Sequence, residues 1–104
     1  MPVTTVGTAQ VHVDAEGFLT EYDEWDEQLG RQLAAAIGIE MTDAHWTPIR
    51  FLRADYPEFG QTATLRRVSS LTGIPIKDLF ALFPGKPAKK MAYVAGLPKP
   101  HGCV

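Results

Sequence analysis

Residues 24–38 read EWDEQLGRQLAAAIG. Trp25, Leu29, Leu33 and Ile37 recur every four residues, which sets them on one stripe of an α-helix, and Gly38 stands where a helix closes in a left-handed conformation. Asp23 is a candidate N-cap for this helix. A helix with one apolar stripe must bury it against other elements, and the sequence on either side supplies them.

Downstream, Thr42 caps DAHWTPIRFLRADY (43–56), where Trp46, Ile49, Phe51, Leu52 and Tyr56 form a broad apolar face. Pro48 fits if it falls in the first turn, and Pro57 and Gly60 mark the exit. ATLRRVSSLTG (63–73) carries Leu65, Val68 and Leu71 at three-residue spacing, and Gly73 with Pro75 separates it from IKDLFALF (76–83), a helix-turn-helix-like corner. A short basic helix follows in AKKMAYVAG (88–96), with Met91 and Val94 inward and Lys89 and Lys90 in water. Upstream, AQVHVDAEGFLTEY (9–22) alternates around Val11 and Val13, breaks over 14–17 and resumes at Phe18 and Leu19, which predicts a short β-hairpin. The expected fold is mainly α (α+β), a small helical bundle with an N-terminal β-hairpin, a helix-turn-helix-like corner and a flexible C-terminal arm.

The 104 residues are 45% hydrophobic and 21% charged, which suits one globular domain; the expected division is a body over 1–95 and a mobile arm over 96–104. A formal net charge of -2 gives no general attraction to nucleic acid or an anionic membrane. The sequence shows neither an apolar run of about 18 residues nor a secretory leader pattern, so the expectation is a cytoplasmic protein that spans no membrane.

The single cysteine, Cys103, is the penultimate residue of AGLPKPHGCV (95–104). Gly96 and Gly102 are joints, and Pro98 and Pro100 bias the stretch between them towards extended geometry, which lowers the entropy lost on entering a narrow cleft. Lys99 and His101 favour the thiolate when charged, while the terminal carboxylate opposes them. Two readings stay open on these residues alone: a thiol presented to partners on an arm, or a tail with an incidental cysteine. One cysteine cannot form an internal disulfide, so any disulfide or persulfide involves a partner.

FPGKPAKKMAYVAGLPKPHGCV (83–104) resembles the C-terminal signature of the DsrC/TusE family of sulfur-carrier proteins, VDAEGFLTEYDEW (13–25) resembles that family's hairpin and first-helix start, and DAHWTPIRFLRADYPEFG (43–60) its second helix. The resemblance covers most of the chain, although the stretch between Arg67 and Leu82 is several residues shorter than the family pattern. It implies a persulfide carried on Cys103, an arm over Gly96, Pro98, Lys99, Pro100, His101 and Gly102 that moves between enzymes, and no cofactor. It also implies protein partners: a sulfurtransferase-like donor, and a tRNA-thiolating, sulfite reductase-like or heterodisulfide reductase-like acceptor. Members with a second arm cysteine carry it at the position of Ala92, so the resemblance points to the single-cysteine branch.

Three alternatives belong to other classes: a helix-turn-helix DNA-binding regulator using Arg66, Arg67 and Lys77, a redox-sensing thiol module, and a structural subunit of a sulfur-metabolising complex. The DNA reading is weakened because Ile76, Leu79, Phe80, Leu82 and Phe83 make the second helix of the corner mostly core. His12, His45, His101 and Cys103 show no ligand spacing, so no metal site is expected. Trp25 and Trp46 read as core aromatics. Residues 21–27, EYDEWDE, read as a solvated helix start. Lys86, Lys89, Lys90 and Lys99 surround the base of the arm, where they either guide it to an acidic surface or serve solubility.

Overall fold

The computed structural model describes residues 3–6 and 9–100. Two antiparallel strands, β1 (Val3–Val6) and β2 (Ala9–His12), open the chain, and a 3-10 turn (Tyr22–Glu24) leads into five helices: α1 (Glu27–Ala36), α2 (Asp43–Phe59), α3 (Leu65–Thr72), α4 (Ile76–Leu82) and α5 (Pro87–Val94). The mainly helical fold with an N-terminal hairpin is the expected one. α5 is the central element, packed against α1, α2 and α4, while α2 also packs on α3.

The hairpin uses a different pairing from the expected one. β2 pairs with the upstream VTTV run in the register Val3 to His12 and Thr5 to Gln10, and the predicted 9–22 pairing survives only as an isolated bridge between Val13 and Leu19. The Asp14 side chain accepts from the amides of Glu16 and Phe18, and Gly17 takes φ 90°, so the chain turns too tightly there to continue a ladder. Val3, Thr4, Thr5 and Val6, all β-branched, were the signal for the true partner strand.

α1 starts three residues later than the pattern suggested. Asp26, not Asp23, is the N-cap, its carboxylate accepting from Leu29 N at 2.8 Å, and Trp25 lies outside the helix in extended conformation. The reason is tertiary: Glu24 is held by both the backbone N–H (2.8 Å) and Nδ1 (2.7 Å) of His12, which ties the preceding turn to β2. The first of these bonds is the main cause that lowers the carboxyl pKa of Glu24.

α2 passes through both prolines that were expected at its margins. Pro48 is the sixth helical residue, beyond the first turn, and the burial of Trp46, Ile49 and Leu52 on the same helix holds the chain helical across it. Pro57 also lies inside the helix, where it leaves the Arg53 carbonyl without its usual i+4 donor; the Tyr22 hydroxyl donates to that carbonyl instead. His45 closes the other end. Its Nδ1 accepts from Thr42 N at 3.1 Å, which leaves Nε2 to donate to Leu82 O at 3.0 Å and so ties α2 to α4.

The main core joins Ala34, Trp46, Ile49, Leu52, Val68, Leu79, Phe83, Met91 and Val94, and a smaller cluster of Val11, Val13, Leu19, Leu29 and Leu33 lies under the hairpin. Each large aliphatic or aromatic side chain fully removed from water contributes about 1.5–3 kcal/mol. Trp25 and Tyr93 pack against both clusters. The α3–α4 corner is less buried than expected: Leu71, Ile76 and Phe80 are exposed, and α4 commits only Leu79 and the flanking Phe83 fully to the core. A seven-residue helix turns through about two turns, so a single stripe of it faces inward and the apolar residues off that stripe face water.

Candidate functional site

The arm grows out of the C-terminus of α5. Gly96 takes φ 68°, its N–H donates to Tyr93 O at 3.2 Å, and Leu97 N donates to Ala92 O at 3.0 Å. These two bonds close the helix in a left-handed cap, for which glycine is the least strained residue. Leu97 is fully buried in the main core. The chain is therefore packed on the body past Gly96, where the arm was expected to begin.

Four side chains from other parts of the sequence, Trp25, Arg53, Thr62 and Glu16, fasten this segment. Trp25 Nε1 donates to Val94 O at 2.8 Å, and its indole packs against Gly96, so close that a Cβ there would fall 2.9 Å from Trp25 Cγ. Gly30 leaves the matching space on the other side: a Cβ there would stand 2.8 Å from Trp25 Cζ2. Arg53 stacks on Tyr22 and Trp25, 3.7 and 4.5 Å from the ring centroids, and donates to Ala95 O at 3.3 Å and Tyr22 O at 2.9 Å. The indole and the guanidinium thus satisfy carbonyls that the end of α5 leaves without helical partners, and the cation suits the negative end of the helix dipole. Burial lowers the Arg53 pKa, with Tyr22 and Asp23 opposing; the group stays charged at any physiological pH.

Further along, buried Thr62 donates from Oγ1 to Pro98 O at 2.7 Å, and Lys99 Nζ meets Glu16 Oε1 at 3.0 Å. The Lys99 pair is half-exposed on both sides and is worth at most about 1 kcal/mol. Pro100 is buried. Of the predicted site residues, Gly96, Pro98, Lys99 and Pro100 are thus brought together at one edge of α5, while His101, Gly102 and Cys103 lie outside the described residues. Ala92 is fully buried on α5. Trp25, read as a core aromatic, does pack on the core but also holds the arm root; Arg53, Thr62 and Glu16 carried no sequence signal for that role. The mid-helix Gly30 was the one clue to a close approach.

The predicted nucleic-acid residues are divided. Arg66 and Lys77 are exposed, but Arg67 makes a two-pronged pair with Asp55, at 2.7 and 3.0 Å, and its guanidinium lies 4.0 Å over the Phe59 ring. The Asp55 side chain is only 8% exposed. Arg67→Ala should therefore lower the urea midpoint by stranding that carboxylate, whereas Arg66→Ala with Lys77→Ala should leave it within error. A drop in DNA affinity for Arg67→Ala alone would then report damage to the fold, so the exposed pair is the clean test of phosphate contact. Among the described residues no group of three or more His, Cys, Asp or Glu side chains is placed to hold a metal ion, and no helix is long and apolar enough to cross a membrane.

Comparison with known proteins brings these features together. A family model described as DsrC like protein matches residues 5–104. The chain is 34% identical over 102 residues to the sulfurtransferase TusE of Sodalis glossinidius, covering 91% of this chain and 94% of that protein. It is 36% identical over 101 residues to the TusE of Yersinia pseudotuberculosis, covering 90% and 94%. Among solved structures it is similar to DsrC of Allochromatium vinosum, with TM-score 0.84 and 35% identity over 98% of this chain and 97% of that one. It is also similar to the oxidized gamma-subunit of the dissimilatory sulfite reductase (DsrC) from Archaeoglobus fulgidus, with TM-score 0.80 and 33% identity over 99% and 100%. A family match across nearly the whole sequence, joined to this fold, shows that the chain belongs to the DsrC-like protein family.

Proposed function

We propose that this protein is a sulfur carrier that receives sulfane sulfur as a persulfide on Cys103 and hands it to a partner enzyme. The observation that carries this reading is the likeness, over nine-tenths of the chain, to sulfurtransferases TusE, in a sequence whose only thiol is Cys103. In the loading step the Cys103 thiolate attacks the outer sulfur of a donor persulfide. The new bond is Cys103 Sγ–S, the bond broken is the donor's S–S bond, and the donor departs as its thiolate. Release is the same exchange in reverse sense: an acceptor thiolate takes the outer sulfur and the Cys103 thiolate leaves. No net oxidation occurs and no cofactor is required.

The partners are a protein donor and a protein acceptor in a sulfur relay, serving tRNA thiolation or a sulfite reductase-type pathway in the cytoplasm. With one cysteine, the chain carries sulfur as a persulfide or a mixed disulfide with a partner, and a disulfide within the chain has no second thiol. The fastened root, from Val94 to Lys99, supports this reading, because it gives a terminal thiol a fixed point of departure from a rigid body.

The test is intact mass spectrometry of the reduced protein after incubation with a small persulfide donor, alongside protein alkylated beforehand. A gain of one or more sulfur atoms, reversed by dithiothreitol and absent after alkylation, is expected. No gain from small persulfides or polysulfide would overturn the reading.

A further inference from the structure

A groove of about 560 Å³ lies beside the arm root, between the N-terminal half of α5 and the turn that follows β2. Phe18, Ile37 and Tyr93 line it, with Phe18 and Tyr93 in edge-to-face contact at 5.8 Å. Lys86, Lys89 and Lys90 stand along it, and none of the three has an ion-pair partner among the described residues. The single carboxylate at the groove among the described residues, Glu16, is already engaged by Lys99. α5 has no acidic residue in its first turn and no capping side chain at Lys86, so the helix dipole adds to the positive field instead of being neutralised. Three cations at the positive end of a helix are a cost to folding, which a solubilising role would not require in a chain of net charge -2.

We propose that this groove docks an acidic, apolar-centred segment of a partner protein, which seats the partner against the root of the arm. The inference rests on the sulfur-carrier reading for the identity of the partner as a donor or acceptor, and on charge and shape for the docking itself. An aliphatic or aromatic side chain of the segment covers Ile37 and the half-buried Tyr93 ring, and carboxylates on either side pair with Lys86, Lys89 and Lys90. Burial raises the Tyr93 pKa, so its phenol remains a neutral donor within the groove. Continuity with the arm gives the docking its purpose: Glu16 both lines the groove and holds Lys99, so a partner seated there stands next to the point from which the last residues of the chain depart. A nucleic acid is the less favoured occupant, because the lysines form one short cluster beside a carboxylate on an acidic protein and Phe18 is too buried to stack on a base.

The experiment maps amide shifts of the full-length protein on titration with the peptide Ac-Asp-Glu-Asp-Phe-Leu-Glu-Asp-NH2. Its Asn/Gln analogue and a single-stranded oligothymidylate of equal charge serve as comparisons. The expected result is a set of shifts confined to Phe18, Ile37 and residues 85–93, with affinity for the acidic peptide at least about tenfold above that for the neutral one and lowered by salt. The triple variant Lys86→Glu, Lys89→Glu, Lys90→Glu should lose at least about tenfold in affinity while taking up sulfur from a small persulfide as fast as the wild type. That second readout separates the two ideas: a wild type that takes up no sulfur condemns the carrier reading, a variant that alone loses loading shows the lysines acting on the thiol chemistry and not in docking, and unchanged peptide affinity condemns the groove. Should the triple variant fail to fold, Lys89→Glu alone is expected to show a smaller loss in the same direction. Shifts located elsewhere, equal binding of the neutral peptide, or tighter binding of the oligonucleotide in the groove would overturn the proposal.

Discussion

Cys103→Ser should abolish sulfur loading completely while leaving the thermal midpoint of the protein unchanged. Completeness is the informative part. The chain has no other cysteine, so no second thiol can take over the attack, and a serine hydroxyl is not ionised near neutral pH and forms no persulfide. The replacement of one sulfur by one oxygen in a side chain of the same length is nearly isosteric and should change stability by less than about 0.5 kcal/mol. For the wild type, the loading rate should rise with pH as the thiolate, the attacking form, becomes populated. Intact mass and a melting curve on the same samples check both halves. Residual loading in the serine variant would mean that sulfur is held elsewhere and would withdraw the role given to Cys103.

The helices were legible because each announced itself by a local device: the apolar stripe of Leu29 and Leu33, the Thr42 cap, and the left-handed glycines Gly38, Gly60 and Gly73. What the sequence hid was set by contacts between distant residues. Asp23 and Asp26 are equivalent caps on local grounds, and the choice falls to Asp26 only because His12, twelve residues before Glu24, grips that carboxylate. Pro57 is a plausible stop until the Tyr22 hydroxyl takes the carbonyl that the proline leaves without a donor. In the same way, the stretch after Gly96 has the composition of a loose tail, yet Leu97 fills a place in a core built from α1, α2, α3, α4 and α5. The exposed Ile76 and Phe80 show the converse: an apolar residue in a short helix is buried only if it falls on the stripe that faces the body. The clamp of Trp25, Arg53 and Thr62 on the arm root left no trace in the sequence beyond the mid-helix Gly30, since each side chain reaches it across thirty or more residues.

That clamp predicts an unequal response of two glycines to the same mutation. Gly17 and Gly96 both have positive φ, 90° and 68°, so alanine costs about 1–2 kcal/mol of backbone strain at either position. At Gly17 nothing among the described residues lies within 4 Å of the added methyl group, and the cost ends there. At Gly96 the methyl group would meet Trp25 at Cγ (2.9 Å) and Cβ (3.1 Å), against backbone-proximal atoms that cannot swing aside without shifting the indole. Moving the indole breaks its bond to Val94 O and disturbs the stacked Arg53. Gly96→Ala should therefore cost about 3–5 kcal/mol in urea unfolding, a value large enough to threaten the fold of a domain this size. Leu97→Ala gives an independent measure at the next residue, where truncation of a fully buried side chain should cost about 2–5 kcal/mol. Equal losses for Gly96→Ala and Gly17→Ala would show that Trp25 does not restrain the segment. A larger loss for Gly96→Ala than for Gly17→Ala, joined to the expected loss for Leu97→Ala, would fix the departure point of the arm beyond Leu97, because a joint at Gly96 itself would tolerate both changes.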